Sequence, residues 1–137
     1  VNEPIAEAGE NASVRIRMEV DKANGLHAVT RFEVIKRSNG FTKVFCYPET
    51  GRTNQIRVHI AHKGYPIVGD KLYSGNDLDF LQFIEHGNTP EILSRVLMPR
   101  QALHAYKNIF MHPDTGEEIE LTAPMPDDMA DFESTHF

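Results

Sequence analysis

Val14, Ile16, Met18 and Val20 alternate with Arg15, Arg17 and Glu19, the period-two pattern of a strand with one buried face. Asn24-Gly25 follows as a turn. The run His27–Arg37 is rich in β-branched and aromatic residues (Val29, Thr30, Phe32, Val34, Ile35) and predicts a second strand. Ser38-Asn39-Gly40 is a turn signal, and Phe41–Tyr47 predicts a third strand. Strands joined in this way predict an antiparallel meander.

The pattern then changes period. Pro48-Glu49-Thr50-Gly51 is a tight turn, and Thr53 is placed to cap a helix running to about Lys63, with Gly64 as its terminator. Ile56 and Ile60 share one face of that helix. Leu78, Leu81 and Ile84, with Phe80 and Phe83, predict a second helix ended by Gly87-Asn88, and Pro90 opens a short third through Leu97. Leu103–His112 and Glu117–Thr122 read as strands around the turn Pro113-Asp114-Thr115-Gly116, and Pro126–Phe132 as a final acidic helix. No linker interrupts the chain. The expectation is one α+β domain over residues 1–137, a mostly antiparallel sheet with a few flanking helices.

With 40% hydrophobic and 25% charged residues in 137, the chain can bury a core. No stretch approaches the roughly 20 apolar residues of a membrane span. Cys46 is the only cysteine, which excludes an internal disulfide and a cysteine-rich zinc site and favours a reducing, cytoplasmic setting. A net charge of −6 argues against a general polyanion binder. The charge is unevenly spread, however. Lys36 to Lys71 holds seven basic and two acidic residues, so a local patch can still meet phosphate, or be an ordinary solvated face.

The densest polar cluster lies in that window: Gly51-Arg52-Thr53-Asn54-Gln55-Ile56-Arg57-Val58-His59. A tight turn, a helix start and two arginines suit an anion, while a capped helix with paired surface arginines fits the same residues. Arg57, one turn into the helix, requires a carboxylate partner if it is buried. His59 and His62 lack the spacing and companions of a metal site and read as solvated or phosphate-facing. Cys46 reads as a small buried hydrophobe. Asp77 and Asp79 read as helix-start residues. His104 is either a core hydrogen-bonding group or a site residue.

These residues resemble a known family. Gly51–His59, followed by Gly64-x-Pro66-Ile67-Val68-Gly69-Asp70-x-x-Tyr73, is similar to the G-R-T-H-Q-I-R-V-H…G-x-P-I-x-G-D-x-x-Y signature of RluA-type RNA pseudouridine synthases. Ala28-x-Thr30, Leu103-His104-Ala105, His112-Pro113-x-Thr115-Gly116 and Ala123-Pro124-x-Pro126 extend the likeness over about Pro4 to Asp128. Two departures stand out. The family's His-Arg-Leu-Asp-x-x-Thr-Ser-Gly segment, which carries the catalytic aspartate upstream of this region, has no counterpart here. Asn54 stands where the family usually has histidine.

The resemblance implies isomerisation of uridine to pseudouridine in structured RNA, ribosomal or transfer, by base flipping and aspartate-initiated cleavage of the glycosidic bond, with no metal or organic cofactor. It implies that Arg57 pairs with the absent aspartate, that Ile56 packs on the target base, and that Arg52, Thr53, Asn54, Gln55 and His59 face the RNA. His104 and Tyr73 follow as further candidates. The chain, beginning at Val1, is then expected to be the C-terminal part of a catalytic domain, inactive alone and monomeric in the full-length protein. The alternative is a non-catalytic RNA-binding module that lacks the nucleophile.

Overall fold

Asn39 and Gly40 sit at φ of 47° and 82°, the two left-handed conformations that let a two-residue turn match strand twist. They join β3 (Thr30–Ser38) to β4 (Phe41–Pro48) in an antiparallel hairpin with an irregularity between Val34 and Lys36. The computed structural model describes residues 1–10 and 12–137. Two further antiparallel ladders flank this hairpin: β1 (Ile5–Glu7) with β2 (Met18–Val20), and β5 (Lys107–Met111) with β6 (Glu118–Thr122). With four helices among the described residues, the architecture is α+β, built on short antiparallel ladders.

The predicted meander is corrected. β2 pairs with β1 instead of the second strand, and it begins at Met18 although Val14 is buried. The first residues run along Leu26–Thr30: Ile5 and Leu26 exchange backbone hydrogen bonds, and Glu3 N–H donates to Ala28. The N-terminal segment thus lies between β2 and the entry to β3. Pro4 and two glutamates conceal it as a strand in the sequence.

α1 (Gln55–His62) packs against β2 and the base of the hairpin. Ile5, Val14, Ala28, Val58, Leu72 and Tyr73 form the core it closes. Its fully buried residues are Gln55, Val58 and His59, whereas Ile56 and Ile60 are only half-buried, so the inward face is turned from the one the isoleucines suggest. α2 (Asp77–His86) is capped by the Asn76 carboxamide and ended by Gly87 at φ 72°; α3 (Pro90–Val96) is capped by Thr89, with proline in its first turn. The Asp79 carboxylate accepts from Arg95 Nε at 2.7 Å and joins the two helices. α4 (Asp127–His136) covers the hairpin tip, where Phe132 meets Phe41 edge to face and Glu133 pairs with Lys43 at 2.7 Å. Among the described residues no helix is long and apolar enough to cross a membrane.

Candidate functional site

The turn after β4 reaches α1 through Asn54, whose φ of 55° is left-handed. Asparagine tolerates that conformation better than most residues, because its short polar side chain hydrogen-bonds locally. Asn54, not Thr53, occupies the cap position, and its side chain does not cap the helix. The Oδ1 atom instead accepts from Arg57 Nη1 at 2.8 Å.

Arg57 makes a two-point pair with Asp70, from Nε to Oδ2 at 2.7 Å and from Nη2 to Oδ1 at 2.9 Å. The Asp70 side chain is wholly buried and that of Arg57 is 18% exposed. Those bonds to Asp70 keep the guanidinium more firmly protonated than usual. One carboxylate that a buried Arg57 requires is therefore supplied within the chain, by Asp70. Asp70 also accepts from the backbone N–H groups of Leu72 and Tyr73. It is held in place by the preceding residue: a Cβ at Gly69 would come within 1.9 Å of the Arg100 carbonyl oxygen, so only glycine fits there. Lys71 closes the same junction, donating to the Pro99 carbonyl at 2.6 Å, and burial lowers its pKa.

Tyr73 is buried beneath both arginines of this region, with the Arg57 guanidinium carbon 5.0 Å and that of Arg17 5.4 Å from its ring centre. Its hydroxyl accepts from Met18 N–H, and burial raises its pKa.

Two expected RNA-facing residues point inward. Gln55 Nε2 donates to the Val29 carbonyl and to Thr30 Oγ1, while its Oε1 accepts from Arg52 N–H and Thr50 Oγ1. His59 Nε2 lies 2.8 Å from the Glu3 carbonyl, which can only accept, so the ring proton sits on Nε2. Its Nδ1 then accepts from Thr30 Oγ1 at 2.9 Å. Burial lowers the His59 pKa and keeps the ring neutral. These two residues stitch α1 to the sheet entry, because their polar groups are all matched inside. Arg52 and Thr53 are exposed, and Arg52 Nε donates to the His27 carbonyl. Ile56 stands half-buried beside Arg57. His104 lies apart from this group, its Nε2 3.1 Å from the Ala123 carbonyl.

The structure thus gathers Arg57, Asn54 and Tyr73 around one buried carboxylate, with Arg52 and Thr53 on the adjoining turn. Asp70 is the residue that sequence reasoning missed. The signal for it was an acidic residue in the basic window directly after a glycine, but nothing local showed which arginine it meets.

A family model described as RNA pseudouridylate synthase matches residues 1–62, from the N-terminal segment to the end of α1. The ribosomal large subunit pseudouridine synthase D of Neisseria meningitidis serogroup A is 40% identical over 123 residues, 88% of this chain and 31% of that protein. The protein of the same name from Vibrio cholerae is 40% identical over 132 residues, 96% of this chain and 38% of its own length. That of Buchnera aphidicola is 42% identical over 117 residues, covering 85% and 36%. Along most of its length this chain is similar to RNA pseudouridine synthases. It spans about a third of the length of these curated relatives. The family match ends at His62, so the Arg57 end of the ion pair lies inside it and Asp70 beyond it.

Proposed function

We propose that residues 1–137 are the C-terminal, Arg57-bearing part of the catalytic domain of an enzyme that isomerises uridine to pseudouridine in structured RNA, ribosomal large-subunit or transfer RNA. The observation that carries this reading is the state of Arg57. Three of its five N–H groups are engaged by Asp70 and Asn54, which leaves one on Nη1 and one on Nη2. A guanidinium fixed in this way can grip a second carboxylate with its remaining donors, and it costs little entropy because the side chain is already immobile. In this reading the second carboxylate is the catalytic aspartate of a His-Arg-Leu-Asp segment supplied from outside the chain.

The aspartate initiates cleavage of the glycosidic bond, and the uracil turns and rejoins the ribose through C5. Ile56, half-buried beside Arg57, offers an apolar surface to the flipped base. Exposed Arg52 and Thr53 contact the RNA backbone, and Asn54 acts on Arg57 from the position where the family has histidine. The reading carries with it a cytoplasmic location, a monomeric full-length enzyme and no metal or organic cofactor.

The test has two arms. Sequencing the coding region upstream of Val1 is expected to reveal a His-Arg-Leu-Asp segment; its absence supports a binding module instead. Pseudouridine formation on ribosomal and transfer RNA is expected from the protein carrying that segment and not from the isolated chain. Turnover by the isolated chain overturns the proposed division of the site.

A further inference from the structure

We propose that the outward face of the β3–β4 hairpin is a stacking platform for unpaired RNA bases. The proposal rests on the reading of RNA as the substrate class. It concerns a surface on the opposite side of the hairpin from α1. Cross-strand register fixes the two faces: Phe32 opposes Cys46 and Thr30 opposes Pro48 on the side where Thr30 bonds to α1, whereas Arg31 opposes Tyr47 and Glu33 opposes Phe45 on the other.

That second face carries aromatic rings in open positions. Phe45, Tyr47 and Tyr106 are 39%, 38% and 46% exposed. Phe45 and Tyr106 lie 5.8 Å apart at 29°, close to parallel, and Phe45 and Tyr47 are 6.3 Å apart. The Arg31 guanidinium carbon sits 3.8 Å from the Tyr47 ring centre, and the Tyr47 hydroxyl donates to Glu33, so this ring is held in one orientation. Successive rings beside a stacked guanidinium are what sequence-tolerant binding of single strands uses, because every base has a π-face.

Charge selects this occupant over a second copy. On this face Arg31, Lys36 and Lys43 stand against Glu33 and Glu133, the latter paired with Lys43, which leaves a small basic surplus in a chain of net charge −6. A basic surplus attracts a phosphate backbone and repels its own duplicate. The strip is also bounded in a useful way. α4 covers its Phe41 end, while its Tyr47 end leads into the turn bearing Arg52, which is tied back to His27. A strand lying on the platform would therefore approach the Arg57 site along that turn.

The experiment is binding of a fluorescein-labelled oligouridylate to the isolated chain, followed by anisotropy at low and moderate salt. The intact chain is expected to bind with an affinity that falls as salt rises. Tyr47→Ala and Phe45→Ala are each expected to weaken binding about fivefold or more with an unchanged circular dichroism spectrum. Tyr47→Phe, which keeps the ring, should bind within about twofold of the intact chain, as should Phe110→Ala on the β5–β6 ladder. Absence of binding, equal affinity of the two alanine variants and the intact chain, or self-association that these variants abolish would each overturn the platform. Turnover is not needed for this readout. Binding by the isolated chain with no pseudouridine formation by the protein that carries the His-Arg-Leu-Asp segment leaves the platform and removes the proposed reaction, and turnover by that protein with no loss of binding in the alanine variants does the reverse.

Discussion

Arg57 on α1 and Asp70 on the following loop are joined by two hydrogen bonds of 2.7 and 2.9 Å, with the carboxylate wholly buried. The pair spans a stretch in which the chain leaves the helix, turns at Gly64 and returns under Tyr73. Removing one partner leaves the other charge in a poorly solvated place. Asp70→Asn is expected to lower the free energy of unfolding by roughly 2–3 kcal/mol in urea titration, somewhat less than the roughly 3–5 kcal/mol of a fully buried pair because Arg57 retains some solvent. Arg57→Ala in the full-length enzyme is expected to abolish pseudouridine formation while weakening RNA binding only modestly. Near-normal turnover would contradict the role given to Arg57.

Much of this fold is written locally, and the site is not. The hairpin at Asn39-Gly40, the Thr89-Pro90 helix start and the Gly87 helix end follow from backbone conformations that single residues select, and each stands where the sequence predicts it. The β1–β2 pairing depends on a segment with Pro4 and two glutamates that gains its order only from neighbours, and no periodicity announces it. At the site, the need of Arg57 for a carboxylate is a local deduction. The identity of Asp70, thirteen residues away, is a tertiary fact. Gln55 and His59 mislead for a different reason. A polar residue in a basic helix reads as surface, and only the mutual bonding of Thr30, Gln55 and His59 makes their burial tolerable.

Asn54 combines a left-handed backbone with an acceptor for Arg57, and the two contributions can be separated. Glycine at this position keeps the conformation and loses the acceptor, while alanine loses both. Asn54→Ala is therefore expected to be less stable than Asn54→Gly by about 1 kcal/mol in urea unfolding. Equal losses would show that the backbone conformation at residue 54 carries no cost.

Cys46 lies on the α1 side of the hairpin, and burial pushes its thiol pKa up to about 11. Only the thiolate reacts, so at pH 8 modification by a disulfide reagent is expected to run about a hundredfold slower than for a free cysteine. Urea should remove the protection. Rapid modification of the folded chain would show that this face opens more readily than the structure implies.

The His59 ring is a second source of pH dependence, with a definite sign. Its pKa is lowered in the folded chain, chiefly by burial, which outweighs the upward pull of its bond to the Glu3 carbonyl. The unfolded chain takes up a proton near pH 6.5, and the folded chain resists it to lower pH. Stability is therefore fully present above about pH 6.5 and is lost as the pH falls below it, by up to about 1.4 kcal/mol per pH unit from this one group until the folded ring also titrates. Urea midpoints measured across that range should decline towards acid, and the His59 ring nitrogens should keep their neutral-form NMR shifts well below pH 6.5. A ring that protonates at the ordinary value without loss of structure would mean that the Thr30–His59–Glu3 chain of hydrogen bonds does not anchor α1.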